Sequence, residues 1–289
     1  VKPPKAIAAA KATRRGAPAS ARARRWALLG AAFGAFAGVI AFAPATWLAS
    51  ALADATSGRV LLADARGTVW RGSATPVVTG GEGSRDAAVL PGRLHWQAGL
   101  DGAALRLRFE QACCLPAGAE LRVGPAGGGI EWRLAGGTGA APLAQWPAAL
   151  LAGLGAPWNT LQLGGTVRVS SPGLAWRRVA GRWTVEGAAQ LELDGLSSRV
   201  SPLPVLGSYR IALRGAPPGE AEDAASALRI EIATAEGPLV LTGAGQWATG
   251  TPLRFRGEAR ASPGSEAALN NLLNLLGRRQ GAVTLLSIG

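Results

Sequence analysis

Histidine occurs once in this 289-residue chain, methionine not at all, tyrosine once, and cysteine only as the adjacent pair Cys113 and Cys114. One imidazole, His95, and two neighbouring thiols cannot supply the four ligands of a structural zinc site. Hydrolase signatures are missing as well: there is no GxSxG, no HExxH and no CxxC. The GGG run at 127–129 lacks the lysine of a phosphate-binding loop. Asp64, Asp86, Asp101, Asp194 and Asp223 are scattered, and none forms a carboxylate pair near another polar group. His95 alternates with Leu94 and Trp96, which makes it an exposed strand residue. No catalytic residue, metal ligand or cofactor-binding residue is assigned, and no enzyme activity is expected.

Acidic residues are absent until Asp54. Lys2, Lys5, Lys11, Arg14, Arg15, Arg22, Arg24 and Arg25 put eight positive charges into the first 25 residues. They account for most of the net charge of +12; the remaining 22 basic residues face 18 acidic ones, a net of +4. The excess belongs to the tail, and no RRM, KH or zinc-finger pattern accompanies it, so nucleic acid is excluded as a partner. Charged residues make up only 17% of the chain, which leaves little material for long solvated helices.

Beyond the tail the chain turns apolar. Residues 26–43, WALLGAAFGAFAGVIAFA, are 18 positions without a charge. As a helix they span about 27 Å, close to the ~30 Å hydrocarbon core of a bilayer. Trp26 and Trp47 flank the run as interfacial residues do. Gly30, Gly34 and Gly38 recur on one face, the spacing through which transmembrane helices pack together. A cleaved secretory signal shares the basic front and apolar middle, but the run is too long for a typical one. The expected layout is a basic cytoplasmic tail (1–25), an anchor helix (26–43), a short helix (44–57) and an extracytoplasmic body (58–289), with direction set by the positive-inside rule.

In the body the hydrophobic period drops to two. LRLRF (105–109), RIEIA (229–233) and LRFR (253–256) alternate strictly, and further runs such as GTVWRGSATPVVTG, PGRLHWQAG, GIEWRLAG and GRWTVEGAAQLELDG are bounded by Gly or Pro. Forty-one Gly and 19 Pro supply the turns. This predicts a mainly β fold: a curved, largely antiparallel sheet with one face solvated and a few short helices. Helices are expected at 141–157, with Leu143, Trp146, Leu150, Leu151 and Leu154 on one face, and from Ser262 and Pro263 to Gly277. Residues 216–226 read as a polar loop. Each helix comes after a strand series, so two similar halves, 58–157 and 158–289, are a further expectation.

Ten Trp stand against five Phe and one Tyr, and several lie in strands beside Gly. Two readings stay open: rings filling the interior of a bent sheet, and rings lining a groove for lipid or an extended polypeptide. Trp70, Trp96, Trp132, Trp183 and Trp247 are the candidate contacts, with Trp70 expected to point inward. For Cys113 and Cys114, a vicinal disulfide, two reduced thiols and a bridge to another chain all remain open.

The order of these pieces resembles a known family. GRVLLADARGTVWRG after the anchor, then LPGRLHW, then the terminal LLNLLGRR, are similar to the type II secretion system protein N family over nearly the whole chain. The resemblance implies an inner-membrane protein of a Gram-negative bacterium that works with other components of the type II secretion system in exporting folded proteins, through protein–protein contacts and without enzymatic activity. The G-x-V-W-x-G element after a single anchor is also similar to the AsmA-like group of anchored envelope proteins, which implies lipid binding or channelling along an apolar curved sheet.

Overall fold

The computed structural model describes residues 21–137, 142–215, 228–248 and 251–288. Most of the basic tail and the loop expected at 216–226 lie outside the described residues. The chain divides into two units, Val1–Phe42 and Ala43–Gly289. In the first, helix α1 covers Ala21–Ala41. It starts before the apolar run, taking in Arg22, Arg24 and Arg25, and its segment Arg24–Ala41 is long and apolar enough to cross a membrane. Trp26, Phe33 and Phe36 are exposed on it, and nothing lies within 4 Å of a Cβ built on Gly30, Gly34 or Gly38.

The second unit opens with α2 (Ala45–Ala55) and continues as sixteen strands. These are β1 (Val60–Gly67), β2 (Arg71–Thr79), β3 (Ala87–Val89), β4 (Leu94–Asp101), β5 (Ala104–Gln111), β6 (Leu115–Ala126), β7 (Gly129–Ala135), β8 (Ala144–Pro147), β9 (Leu163–Val179), β10 (Arg182–Ser198), β11 (Gly207–Arg214), β12 (Leu228–Glu236), β13 (Leu239–Trp247), β14 (Arg254–Ala261), β15 (Arg278–Gln280) and β16 (Val283–Ile288). They form one open antiparallel sheet in the order β1-β2-β4-β5-β6-β7-β9-β10-β11-β12-β13-β14-β16-β15; β3 pairs with β2 and β8 with β9 at its margins. A single sheet therefore runs through both 58–157 and 158–289.

Register converts the two-residue period into two chemically distinct faces. Trp96 faces Phe109, Leu107 faces Leu121, Val123 faces Trp132, Trp132 faces Trp176, and Trp176 faces Val185. Further along, Val169 faces Leu191, Leu191 faces Ile211 and Ile211 faces Ile232. Bulges in β9 and β10 absorb the mismatches without turning the apolar side chains over. The intervening residues carry the charges to the other face.

GTVWRG is the turn from β1 to β2. The Thr68 N–H donates to the Arg71 carbonyl (2.8 Å), and the Val69 N–H donates to the Ala43 carbonyl (2.9 Å). Trp96 is 2% exposed, and its indole N–H donates to the carbonyls of Thr68 (3.2 Å) and Val69 (3.1 Å). The ring lies over Gly72, where a Cβ would come within 2.4 Å of it. Trp70, expected inward, is half-buried at the bend, because the turn's closure spends its backbone carbonyl on the Ala98 N–H (2.7 Å) rather than placing the residue in a strand. Ala45, Ala74 and Trp96 form a small core with Leu48, Leu62, Ala65 and Phe109.

Two expectations need correction. The helix at 141–157 is instead β8, a 3₁₀ segment (Ala148–Leu154) and a short α3 (Trp158–Leu161). Trp146 pairs with Val167, so the ladder of β9 captures the first part; Pro147 lacks the N–H to prolong the pairing, and the chain then coils. The last helix, α4 (Glu266–Leu276), begins after Ser265 and not at Pro263, because Gly264 (φ +87°) puts a left-handed residue in between. Leu269, Leu272 and Leu273 of α4 join Val167, Leu196, Leu206, Tyr209, Leu239 and Ala259 in the larger core.

Trp96→Ala should cost about 3–5 kcal/mol of unfolding free energy. His95→Ala, one residue away but exposed on the other face, should stay within about 0.5 kcal/mol. Chemical denaturation of the two variants tests this; equal effects would contradict the assigned faces.

Candidate functional site

α4, the 3₁₀ segment and residues 198–206 cover the apolar face at the strand ends that include Leu163, Leu196 and Leu239. Toward the opposite ends, where the β4–β5, β6–β7, β9–β10 and β13–β14 hairpins turn, none of these elements belongs to the packing. Leu100 (78% exposed), Ile130 (49%), Trp247 (37%) and Ile288 (55%) mark this margin. Leu105, Val123, Trp132, Trp176, Trp183, Leu213, Ile230 and Phe255 lie half-buried along it. The result is an apolar strip that crosses the sheet from β4 to β16.

Its centre is aromatic. Trp132 and Trp183 stack with ring centroids 5.1 Å apart and planes at 29°. Trp176 lies between their strands, directly paired with Trp132. Arg178, paired with both Ile130 and Trp183, holds its guanidinium 5.6 Å from the Trp183 ring centre. An Arg over an indole face is attracted by the ring quadrupole. At the far side Phe255 fills the space over Gly243, where a Cβ would meet it at 2.5 Å.

Of the candidate contacts, Trp132 and Trp183 are brought together; Trp247 ends β13 on the same strip; Trp96 is core, and Trp70 belongs to the β1–β2 turn. Sequence reasoning passed over Trp176 and Arg178 as site residues. The Ala180-Gly181 turn offered the signal, since it pairs Arg178 with Trp183 and Trp176 with Val185. The Trp132–Trp176 pairing had no such signal, because β8 and two helical segments separate them in sequence.

The other face is a lattice of ion pairs in its N-terminal half. Asp101 binds Arg106 (2.5 Å) and Arg122 (2.7 Å); Glu120 binds Arg106, Arg108 and Arg122 at 3.2–3.4 Å. Glu131 binds Arg133 (2.6 Å) and Arg177 (2.9 Å). Burial pushes the Glu131 carboxyl up, but hydrogen bonds from Arg177 and Arg133 outweigh it and hold it below the usual carboxylate range. Glu120 behaves alike: burial opposes, and hydrogen bonds from Arg108 and Arg122 prevail. Tyr209, raised by burial, donates to the Leu239 carbonyl (2.9 Å) and serves the core.

His95 borders a depression of about 840 Å³ on this polar face, with Arg93, Arg108, Glu110, Gln111 and Glu120 among its lining. It holds no nucleophile placed against a base. Among the described residues no three His, Cys, Asp or Glu side chains gather as metal ligands. Cys113 and Cys114 are joined to each other in the turn from β5 to β6, and the Cys114 carbonyl accepts from the Gln145 N–H (2.8 Å).

A folded-state carboxyl held below its unfolded value of about 4.5 contributes stability that is present above that value and is lost as pH falls through the folded one. Glu131→Gln should therefore lower stability at pH 7 and flatten the loss between roughly pH 5 and 3. Thermal melts across that range check the slope; parallel curves for both proteins would contradict the assignment.

Comparison with curated proteins and with solved structures returned no match. A family model does match, that of type II secretion system (T2SS), protein N, over residues 58–285. It takes in every strand from β1 through the first half of β16, and it describes a structural secretion component, not an enzyme. The chain thus belongs to the type II secretion system protein N family and is a component of the type II secretion machinery.

Proposed function

We propose that α1 holds the protein in the inner membrane with its basic tail in the cytoplasm, and that the sheet works in the periplasm as a docking element for other type II secretion components. Two sequence facts support the direction: eight Lys and Arg precede or open the apolar helix, and the first acid appears only at Asp54. The observation that carries the docking role is the uncovered apolar strip centred on Trp132, Trp176 and Trp183. Contiguous apolar surface of this kind on a water-facing domain marks an interaction site, and Trp and Arg are the residue types on which binding energy concentrates.

A second reading uses the same strip for lipid. It is favoured by the chemistry of a sheet face, which offers apolar side chains and no backbone hydrogen-bond partners. Hydrocarbon has no polar groups to satisfy there, whereas an extended polypeptide lying on it leaves its own amides unpaired.

A periplasm-active reporter joined after Ile288 should be active; activity only for a cytosolic reporter would overturn the orientation. Trp132→Ser with Trp183→Ser should weaken docking by about 2 kcal/mol, roughly thirtyfold, and cut export of secreted protein at unchanged cellular level of the variant. Normal export would remove the strip from the secretion role. Native mass spectrometry of delipidated protein offered phospholipid separates the readings: retention in the wild type and loss in the double variant supports lipid, and no retention in either supports a protein partner.

A further inference from the structure

The polar face is not uniformly neutralised. In β4–β7 and β9–β10 Asp101, Glu120 and Glu131 are each shared by two or three Arg, and Glu186, Glu192 and Asp194 each bind one. At the C-terminal edge this pattern stops. Arg229, Arg254, Arg256, Arg260 and Arg278 are all exposed, and none makes an ion pair with any described residue. The carboxylates on this part of the face are Glu231, which is bound to Arg214 (3.2 Å), and Glu258.

Register gathers these cations. Arg214 faces Arg229, Arg229 faces Gln246, and Gln246 faces Arg254, giving one row across β11–β14. The next row places Arg256 between Ala244 and Ser287. Beyond it Arg260 faces Val240 and Val283, and Arg278 faces Leu285. Neighbouring positions in a row are about 4.8 Å apart, and alternate residues of one strand about 6.8 Å. Glu258 stands between Arg256 and Arg260 along β14, and Glu231 shares the row of Ala244 and Arg256; the rest of the floor is small or neutral, with Ala233, Thr242, Ala244, Gln246 and Ser287 each exposed. The acids closest in sequence, Glu220, Glu222 and Asp223, lie outside the described residues.

We propose that this Arg-lined face of β12–β16 binds an acidic segment of a partner polypeptide. Like charges held on one rigid face repel, and a segment of carboxylates relieves that repulsion. Guanidinium forks suit carboxylates in two-point hydrogen bonding. An extended chain with an acid at every second residue repeats at about 6.8 Å, the spacing of Arg254 and Arg256 along β14. Anionic lipid is the poorer fit. Surfaces that lie on bilayers combine basic residues with apolar ones that insert; the apolar side chains that share this face, Val240, Val283 and Leu285, are half-buried among their neighbours, and Ile230, Ile232, Leu239 and Phe255 belong to the opposite face.

The test uses the full chain in phosphatidylcholine nanodiscs, with Lys2, Lys5, Lys11, Arg14 and Arg15 changed to Gln in every variant, so that only Arg22, Arg24 and Arg25 at the opening of α1 remain of the tail's charge and they are common to all comparisons. A labelled polyglutamate peptide is titrated by fluorescence anisotropy. Arg229→Gln, Arg254→Gln, Arg256→Gln and Arg260→Gln together should weaken binding at least about tenfold, since each charge adds to the electrostatic attraction. Arg106→Gln with Arg122→Gln, on the neutralised part of the face, should leave it within about twofold, because those charges are already paired. Should the fourfold variant fold poorly, Arg229→Gln with Arg256→Gln gives the same comparison. Equal loss from both patches, or no binding by the parent chain, overturns the proposal. Binding to phosphatidylglycerol vesicles without binding to the peptide overturns it in favour of a membrane surface. None of these outcomes depends on the apolar strip or on export.

Discussion

Each strand spends its backbone on its neighbours and leaves only side chains to distinguish the two sides of the sheet. That constraint governs the rest of this structure. Because all pairings are antiparallel, the alternating residues of LRLRF, GIEWRLA and RIEIA meet like with like from β4 to β14. A mainly charged and a mainly apolar surface result, with Arg178 the cation that joins the Trp side. A slip of one residue in β7 or β9 would turn Trp132 or Trp176 toward the Arg lattice and Arg133 or Arg177 toward the apolar face. The bulges in β9 and β10 matter for this reason: they take up length without exchanging the faces.

The apolar face is served unevenly by its own chain. α4 and the 3₁₀ segment, both rich in Leu and Ala, close one end; α2 closes the small core around Trp96. The opposite end keeps its Trp and Ile side chains at the margin. At the other end Leu-bearing turns bury the same face; here no described helix covers the strip. The unpaired Arg rows on the reverse side are an independent feature, since they concern different residues and a different kind of attraction.

Strand alternation was legible in the sequence because it is local: RIEIA and LRFR need no knowledge of their partners. The N-terminal apolar helix was legible for the same reason, although Arg24 and Arg25 extend it beyond its uncharged part. The error at 141–157 arose where local and non-local preferences compete, for Ala- and Leu-rich sequence suits a helix, yet Trp146 is drawn into the ladder beside Val167. The Trp132–Trp176–Trp183 cluster could be read only in part. The hairpin at Ala180-Gly181 announces one pairing, but β7 meets β9 across a long insertion. The distinction between neutralised and unpaired Arg was wholly invisible, since composition counts charges and register decides who sits opposite them.

The sheet order has a bearing on biogenesis. Apart from β3, β8 and the closing β15–β16 pair, every strand lies beside the one that precedes it in the chain. A polypeptide made amino end first can therefore add strands in the order in which they appear, each onto a ladder already in place, with little waiting for distant segments. A chain interrupted late would lack only its far margin and the α4 plug. The growing edge of the sheet stays unpaired until the next strand joins it, so the order of synthesis also sets how long each edge stands open.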